Sequence, residues 1–250
     1  MHQPTFETPP MRLTDFNVLT FDCYGTLIDW ETGILNALRP RFGSALVERS
    51  GDDILAAFAR LESAQEAATP DMIYSELLAR VHRRLAEERG IAATAADHRA
   101  FGSSVGEWPA FPDSGAALAY LEQFYKLVIL SNVDRTSFAQ SQKRLGVAFD
   151  AVYTAEDIGS YKPDLGNFRT MIDGLQRSGH SLGDILHTAQ SLFHDHAPAN
   201  AVGLRSAWID RRSGASGSGA TPQPPEGVRW DFRFASMAEL VEAHRAELRG

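Results

Sequence analysis

A parallel α/β fold carrying a helical insertion is predicted by three features of the chain. The run FNVLTF, Phe16 to Phe21, is apolar and stops at Asp22-Cys23-Tyr24-Gly25-Thr26, as a buried strand does where an acidic group and a glycine turn follow it. From about Trp30 to Trp108 the period is helical, in segments such as DDILAAFARLESAQEAA and MIYSELLARVHRRLAEERG, with no convincing strand between them. Beyond Trp108, strand-like and helix-like segments alternate, and β–α units in series imply a parallel sheet covered by helices on both faces.

Taken in order, the opening MHQPTFETPPMR is polar and proline-bearing and reads as a loose tail over 1–11, without the apolar run of a signal sequence or membrane span. After the helical segment comes the turn FPDSG, then a helix ending near Tyr125, the strand LVILS running into Ser131-Asn132, and a helix over Ser137 to Leu145. Ala151 to Tyr153 forms a short strand, and the proline of Lys162-Pro163 helps to start a helix from about Leu165. Asp184 to Thr188 and Ser206 to Ile209 are the next strands, on either side of a helix containing Ala197 to Val202. Residues Arg211 to Gly227, RRSGASGSGATPQPPEG, are a low-complexity loop whose composition cannot form a core.

With 250 residues, 44% of them hydrophobic, the chain can bury a core without metals or disulfides, and its single cysteine, Cys23, excludes an internal disulfide. Thirty-two acidic against 24 basic side chains, a net charge of −8, leave no basic field to gather nucleic acid or an anionic membrane. A cytoplasmic enzyme acting on a small molecule is the simplest expectation, and an anionic substrate would have to be held by a few local cations or backbone donors.

In such sheets the ligand crevice lies outside the strand carboxyl ends. Four segments deliver polar residues there: Asp22 with Tyr24 and Thr26, Ser131 with Asn132, Lys162, and Asp195. Each has a plainer reading alone. Asp22 suits a turn, Lys162 a solvated surface, Asp195 a helix cap, and Ser131 with Asn132 a helix start. Together they suit covalent catalysis by a carboxylate with a cation to hold it charged. Cys23 alternates away from Asp22 and is expected in the core. His194 and His196 flank Asp195, but residues two apart on a helix do not share a face, which argues against a metal site between them.

FDCYGTLID, LSN, YKPD and a late Asp, in that order, resemble the four motifs of the haloacid dehalogenase superfamily across nearly the whole chain. The resemblance implies a Rossmann-like parallel sheet core over 12–29 and 109–250, with 30–108 as an inserted helical cap domain. It further implies Asp22 as nucleophile, Lys162 as the group that keeps it ionised, and Asp195 as a base guiding water. At the second position after the nucleophile, phosphatases of the superfamily carry Asp to protonate the leaving alcohol, whereas L-2-haloacid dehalogenases carry an aromatic residue, and here it is Tyr24. Halide leaves without a proton, and a phenol with a pKa of about 10 is a poor acid at neutral pH. Phosphatases also show Gly-Asp four residues before the last Asp, where this chain has Gln190-Ser191, so a likely acidic magnesium ligand is missing.

The resemblance therefore implies a type II L-2-haloacid dehalogenase: hydrolysis of small 2-haloalkanoic acids to 2-hydroxy acids through an aspartyl ester on Asp22, with no cofactor. A magnesium-dependent phosphatase of a small metabolite is the alternative. Thr26, Ser131 and Asn132 would hold the substrate carboxylate, Tyr24 would shape the pocket wall, and Arg60 on the helix of Phe58 and Leu61 would cradle the halide, with Arg39 and Arg41 as rivals. The chain departs from the dehalogenase pattern at Gln190-Ser191-Leu192, in place of Ser-Ser-Asn, and at Phe168, in place of Tyr. A flanking histidine orienting water would compensate. Related cap-bearing enzymes imply a homodimer.

Overall fold

The computed structural model describes residues 11–48, 51–213 and 220–250, so the expected tail lies, Met11 apart, outside the described residues. A strand β1 (Val18–Phe21) is followed by helices α1 (Trp30–Glu48), α2 (Gly51–Ala68), α3 (Tyr74–Arg89) and α4 (Ala95–Gly102), and by a 3₁₀ turn over Ser104–Glu107. Then come α5 (Ser114–Leu121), β2 (Lys126–Ser131), α6 (Arg135–Leu145), β3 (Ala151–Thr154), α7 (Ala155–Ile158) and α8 (Leu165–Arg177). The chain continues through β4 (Ile185–Ala189), α9 (Ala197–Ala201), β5 (Arg205–Ile209), β6 (Phe232–Phe234) and α10 (Met237–Arg249).

The strands form one parallel sheet in the order β3-β2-β1-β4-β5-β6. This is the doubly wound, Rossmann-like arrangement, and the chain reverses its direction of travel across the sheet at β1. The residues after β1, β2 and β4 therefore meet at one switch point.

Side chains alternate across β1 with the period of a strand. Leu19, Phe21 and then Cys23 enter the larger core cluster, which runs on into Ile34, Phe58, Phe101 and Trp108 of the helical segment. Val18 faces the other way, with Val128, Phe168, Met171 and Ile185. Cys23 is fully buried among apolar groups, as its phase predicts. The helical segment and the sheet share this core, so α1 cannot swing away without exposing it.

Within the helical segment, α1 passes close to Trp108 at Gly33, where a Cβ would sit 2.3 Å from Cγ of that ring. Gly33→Ala is expected to cost about 1–3 kcal/mol through this overlap, despite the better helix propensity of alanine, and chemical denaturation would measure it.

The sequence reading misses β6 and α10. A three-residue edge strand carries too few alternations to register. α10 is fixed by long-range contacts: Glu247 accepts hydrogen bonds from the backbone N–H groups of Leu13 at 2.9 Å and Thr14 at 3.0 Å. Among the described residues, no helix is long and apolar enough to cross a membrane.

Candidate active site

Asp22 leaves the carboxyl end of β1 almost fully buried, at 6% exposure. Its backbone N–H extends the β1–β4 ladder to the carbonyl of Thr188, which fixes the carboxylate at the switch point. One oxygen accepts from Lys162 Nζ at 3.0 Å and the other from the Thr26 hydroxyl at 2.7 Å. The turn between them needs glycine: Gly25 has φ of +93°, and a Cβ there would press on Trp30 and Gln190 at 3.1 and 3.2 Å.

Lys162 spends its ammonium protons on Asp22, on Asp195 at 2.7 Å and on the carbonyl of Leu130 at 2.9 Å. Asn132 grips the lysine backbone from both sides, accepting from its N–H at 2.7 Å and donating to its carbonyl at 3.0 Å. Asp195 sits in a single turn of π-helix, Leu192–His196, a distortion that aims a side chain a regular helix would turn elsewhere. One of its oxygens accepts from Lys162 and, at 3.0 Å, from His187 Nε2; the other, Oδ2, has no partner among the described residues.

Burial raises the pKa of Asp22 even against the pull of Lys162 and Thr26. Burial acts the same way on Asp195, but there Lys162 and His187 outweigh it and hold the carboxyl well below the usual range. The shared cation thus serves Asp195 better. Asp195 is the settled anion and Asp22 the more basic one, which suits a nucleophile. An ionised carboxylate only accepts, so His187 donates from Nε2 and takes the Thr20 hydroxyl at Nδ1, 2.8 Å away. Lys162 itself stays protonated, since the two carboxylates more than offset its burial.

Above these groups is a small cavity of about 40 Å³ whose wall includes Asp22, Tyr24, Asn132 and Asp195. The Tyr24 hydroxyl is bonded to Ser141 of α6 at 2.9 Å, its ring lies edge-on to Trp108, and burial pushes the phenol pKa well up. It lines the cavity as an aromatic ring rather than as an acid. His194 faces the cavity, and burial lowers its pKa to about 4, so it is neutral. His196 turns away to Ser206 and the carbonyl of Ala189, so the two histidines diverge as their spacing predicts.

A family profile described as haloacid dehalogenase-like hydrolase matches residues 16–183, well over half of the chain. The chain belongs to the haloacid dehalogenase-like hydrolases. Solved structures agree on the fold. A defluorinating L-2-haloacid dehalogenase is 21% identical with a TM-score of 0.76, covering 96% of this chain and 100% of that one. The L-2-haloacid dehalogenase of Xanthobacter autotrophicus is 18% identical with a TM-score of 0.74, covering 92% and 98%. A magnesium-bound HAD-hydrolase, YfnB of Bacillus subtilis, is 18% identical with a TM-score of 0.71, covering 92% and 99%. No curated protein matches the sequence.

Within this haloacid dehalogenase-like site, Asp22, Lys162 and Asp195 converge, with Tyr24 and Asn132 on the cavity wall and Ser131 buried beside them. Thr26 does not face the cavity: its hydroxyl donates to Asp22 and accepts from the N–H of Gln190, so it positions the Asp22 carboxylate instead of lining the pocket. Arg60 is not brought to the site. It lies on the exposed side of α2, paired with Glu88 at 2.6 Å, because the helix turns its apolar stripe of Leu55, Phe58 and Ala59 inward and Arg60 falls outside that stripe. Arg39 is exposed, and the side chain of Arg41 lies outside the described residues.

Sequence reasoning missed His187, Glu62, Glu66, Trp30 and Tyr74, as well as Thr221, which the low-complexity loop carries to the cavity wall, buried and bonded to Gln190. Glu62 and Glu66 had a legible signal: they continue the Leu55–Phe58–Ala59 stripe of α2 at helical spacing, acidic groups in a buried phase. Phe168, at the position where the resemblance expects Tyr, packs edge-on against His187 at 5.2 Å and keeps that ring dry. Among the described residues, no three acidic, histidine or cysteine side chains gather as a metal cage.

Proposed function

We propose that this hydrolase cleaves a carbon–halogen bond of a small substrate through an ester on Asp22, with 2-haloalkanoic acids giving 2-hydroxy acids as the class its resemblance implies. The observation that carries the reading is Tyr24: the position from which phosphatases of the superfamily protonate a leaving alcohol holds a phenol turned to Ser141. Halide needs no such acid. The L-2-haloacid dehalogenases among the solved structures support the same choice.

The reaction that the resemblance implies runs in two steps. An oxygen of Asp22 attacks the halogen-bearing carbon in line, and the bonding pair leaves with the halide. Lys162 holds the carboxylate in place and compensates part of the site's negative charge. Water then adds to Cγ of Asp22, the ester opens, and the product alcohol departs. The free Oδ2 of Asp195 is an acceptor for that water. The Ser131 hydroxyl, buried without a partner beside Asn132, is the donor that the resemblance assigns to a substrate carboxylate.

Halide release from 2-chloro, 2-bromo and 2-fluoro acids, followed with chelator present, is the test. Release should survive chelation. Magnesium-dependent phosphate release from a generic phosphate ester, with no halide from any acid, would put the phosphatase reading in its place.

A further inference from the structure

Apart from Asp22 and Asp195, the cavity is lined by further acidic and aromatic side chains. Glu62 and Glu66 of α2 are 5% and 7% exposed, and both face the cavity beside the rings of Tyr24, Trp30 and Tyr74. Their few partners are neutral or distant. The Tyr74 hydroxyl donates to Glu62 at 2.6 Å, Asn132 donates to Glu66 at 3.2 Å, and the uncharged ring of His194 stands 4.0 Å from Glu66. Among the described residues, none lining the cavity is a lysine or arginine. Lys162 is already committed to Asp22, Asp195 and Leu130.

A second observation at the same cavity is independent of the glutamates: Asp195, fully buried, leaves Oδ2 without a partner there. Buried carboxylates cost free energy unless a cation or donors compensate them. Burial lifts Glu62 to about 7, and burial with the Glu62 charge lifts Glu66 well above its ordinary value. Burial is the largest cause of both shifts, and for Glu66 the pull of Lys162 does not offset it. Aromatic faces around carboxylates form the setting in which organic ammonium ions bind, the ring quadrupoles adding to the ion pair. Glu66 also lines a wider groove of about 550 Å³ beside Tyr161 and Phe193, which gives a substrate longer than the inner cavity a place to extend.

We propose that the end of the substrate remote from the reacting carbon is an organic ammonium group, held by Glu62 and Glu66 among Trp30, Tyr74 and Tyr24. The proposal deepens the carbon–halogen reading and rests on it for the turnover arm of its test. The reacting end is unchanged: Asp22 oxygen bonds to carbon as the carbon–halogen pair leaves on halide. Water then opens the ester at Cγ, one of its protons ending on the alcohol and the other in solvent.

The test compares bromide release from 2-bromo-4-(trimethylammonio)butanoate with that from its isostere 2-bromo-5,5-dimethylhexanoate, in which carbon replaces the charged nitrogen, and from 2-bromopropionate. The ammonium compound should exceed the isostere by about tenfold or more in kcat/KM. In Glu62→Gln/Glu66→Gln, which keeps shape and removes charge, that ratio should collapse, which also corrects for intrinsic reactivity. Bromide from 2-bromopropionate with an ammonium-to-isostere ratio near one, or a ratio unmoved in the double variant, would overturn the ammonium site and leave the carbon–halogen reading standing.

A binding arm needs no chemistry. Calorimetric titration of the wild-type protein with tetramethylammonium should show saturable binding that the double variant loses and that 3,3-dimethyl-1-butanol does not match. Binding without bromide release from any compound would sink the carbon–halogen reading alone. Neither binding nor release would remove both, and titration by magnesium in place of tetramethylammonium would reassign the glutamates to a metal.

Discussion

Asp22→Asn is expected to lower turnover by about 10⁴-fold or more while leaving the fold as stable as the wild type, or more so. The loss follows from covalent catalysis: an amide oxygen does not displace halide, and removal of a nucleophile is among the costliest changes an enzyme can undergo. The stability half follows from burial. The folded-state pKa of Asp22 is raised, so its charge is disfavoured in the native site; the penalty grows as pH rises from the unfolded carboxylate value of about 3.9 and is complete above the folded pKa. A neutral, isosteric side chain removes the penalty; its one carbonyl oxygen can still accept from Lys162, while its amide NH2 faces the Thr26 hydroxyl oxygen. Steady-state halide release and thermal melting at pH 7.5 check the two halves together. A large drop in melting temperature would recast Asp22 as a structural residue.

Lys162→Met should act in the opposite sense on stability. It leaves the carboxylates of Asp22 and Asp195 buried without their shared cation, a loss of about 3–5 kcal/mol at neutral pH, with turnover reduced by about 10³-fold or more. The pH dependence carries the distinctive sign. In the wild type, the pKa of Asp195 is depressed by Lys162 and His187. Its contribution is therefore present above the unfolded carboxylate value of about 3.9 and is lost as pH falls through the folded one. In the variant, burial acts on both carboxylates without the ammonium. The folded state then binds a proton that the unfolded chain has released, so stability falls as pH rises from about 5 to 8. Melting curves across that range would show it, and a variant whose stability followed the wild-type pH trend would contradict the role assigned to the lysine.

Much of this site is legible before any coordinates because its parts sit at strand ends. A strand announces its end through an apolar run and a turn, and the parallel order then gathers Asp22, Ser131 and Asp195 at one edge. The same period of two places Cys23 in the core. The insertion is harder to read. Its helices are visible from their period, but which face meets the site depends on how α2 rotates against Trp30 and Phe101. Arg60, chosen for its charge, is on the solvent side, whereas Glu62 and Glu66 are inside. Phase within the apolar stripe predicts better here than charge complementarity to an assumed anion. His187 stayed hidden because a histidine inside a buried strand has no local signature, and its role comes from Asp195, eight residues on, and from Thr20 on the neighbouring strand.

In the proposed reaction water attacks Cγ of the Asp22 ester rather than the substrate carbon. A single turnover in H₂¹⁸O, with enzyme in excess over the best bromide-releasing substrate, followed by peptide mass analysis, tests this directly. The account predicts ¹⁸O in the Asp22 carboxylate and an unlabelled product alcohol, since the product takes its oxygen from the enzyme. Label in the product with none in Asp22 would show direct attack by water and contradict it.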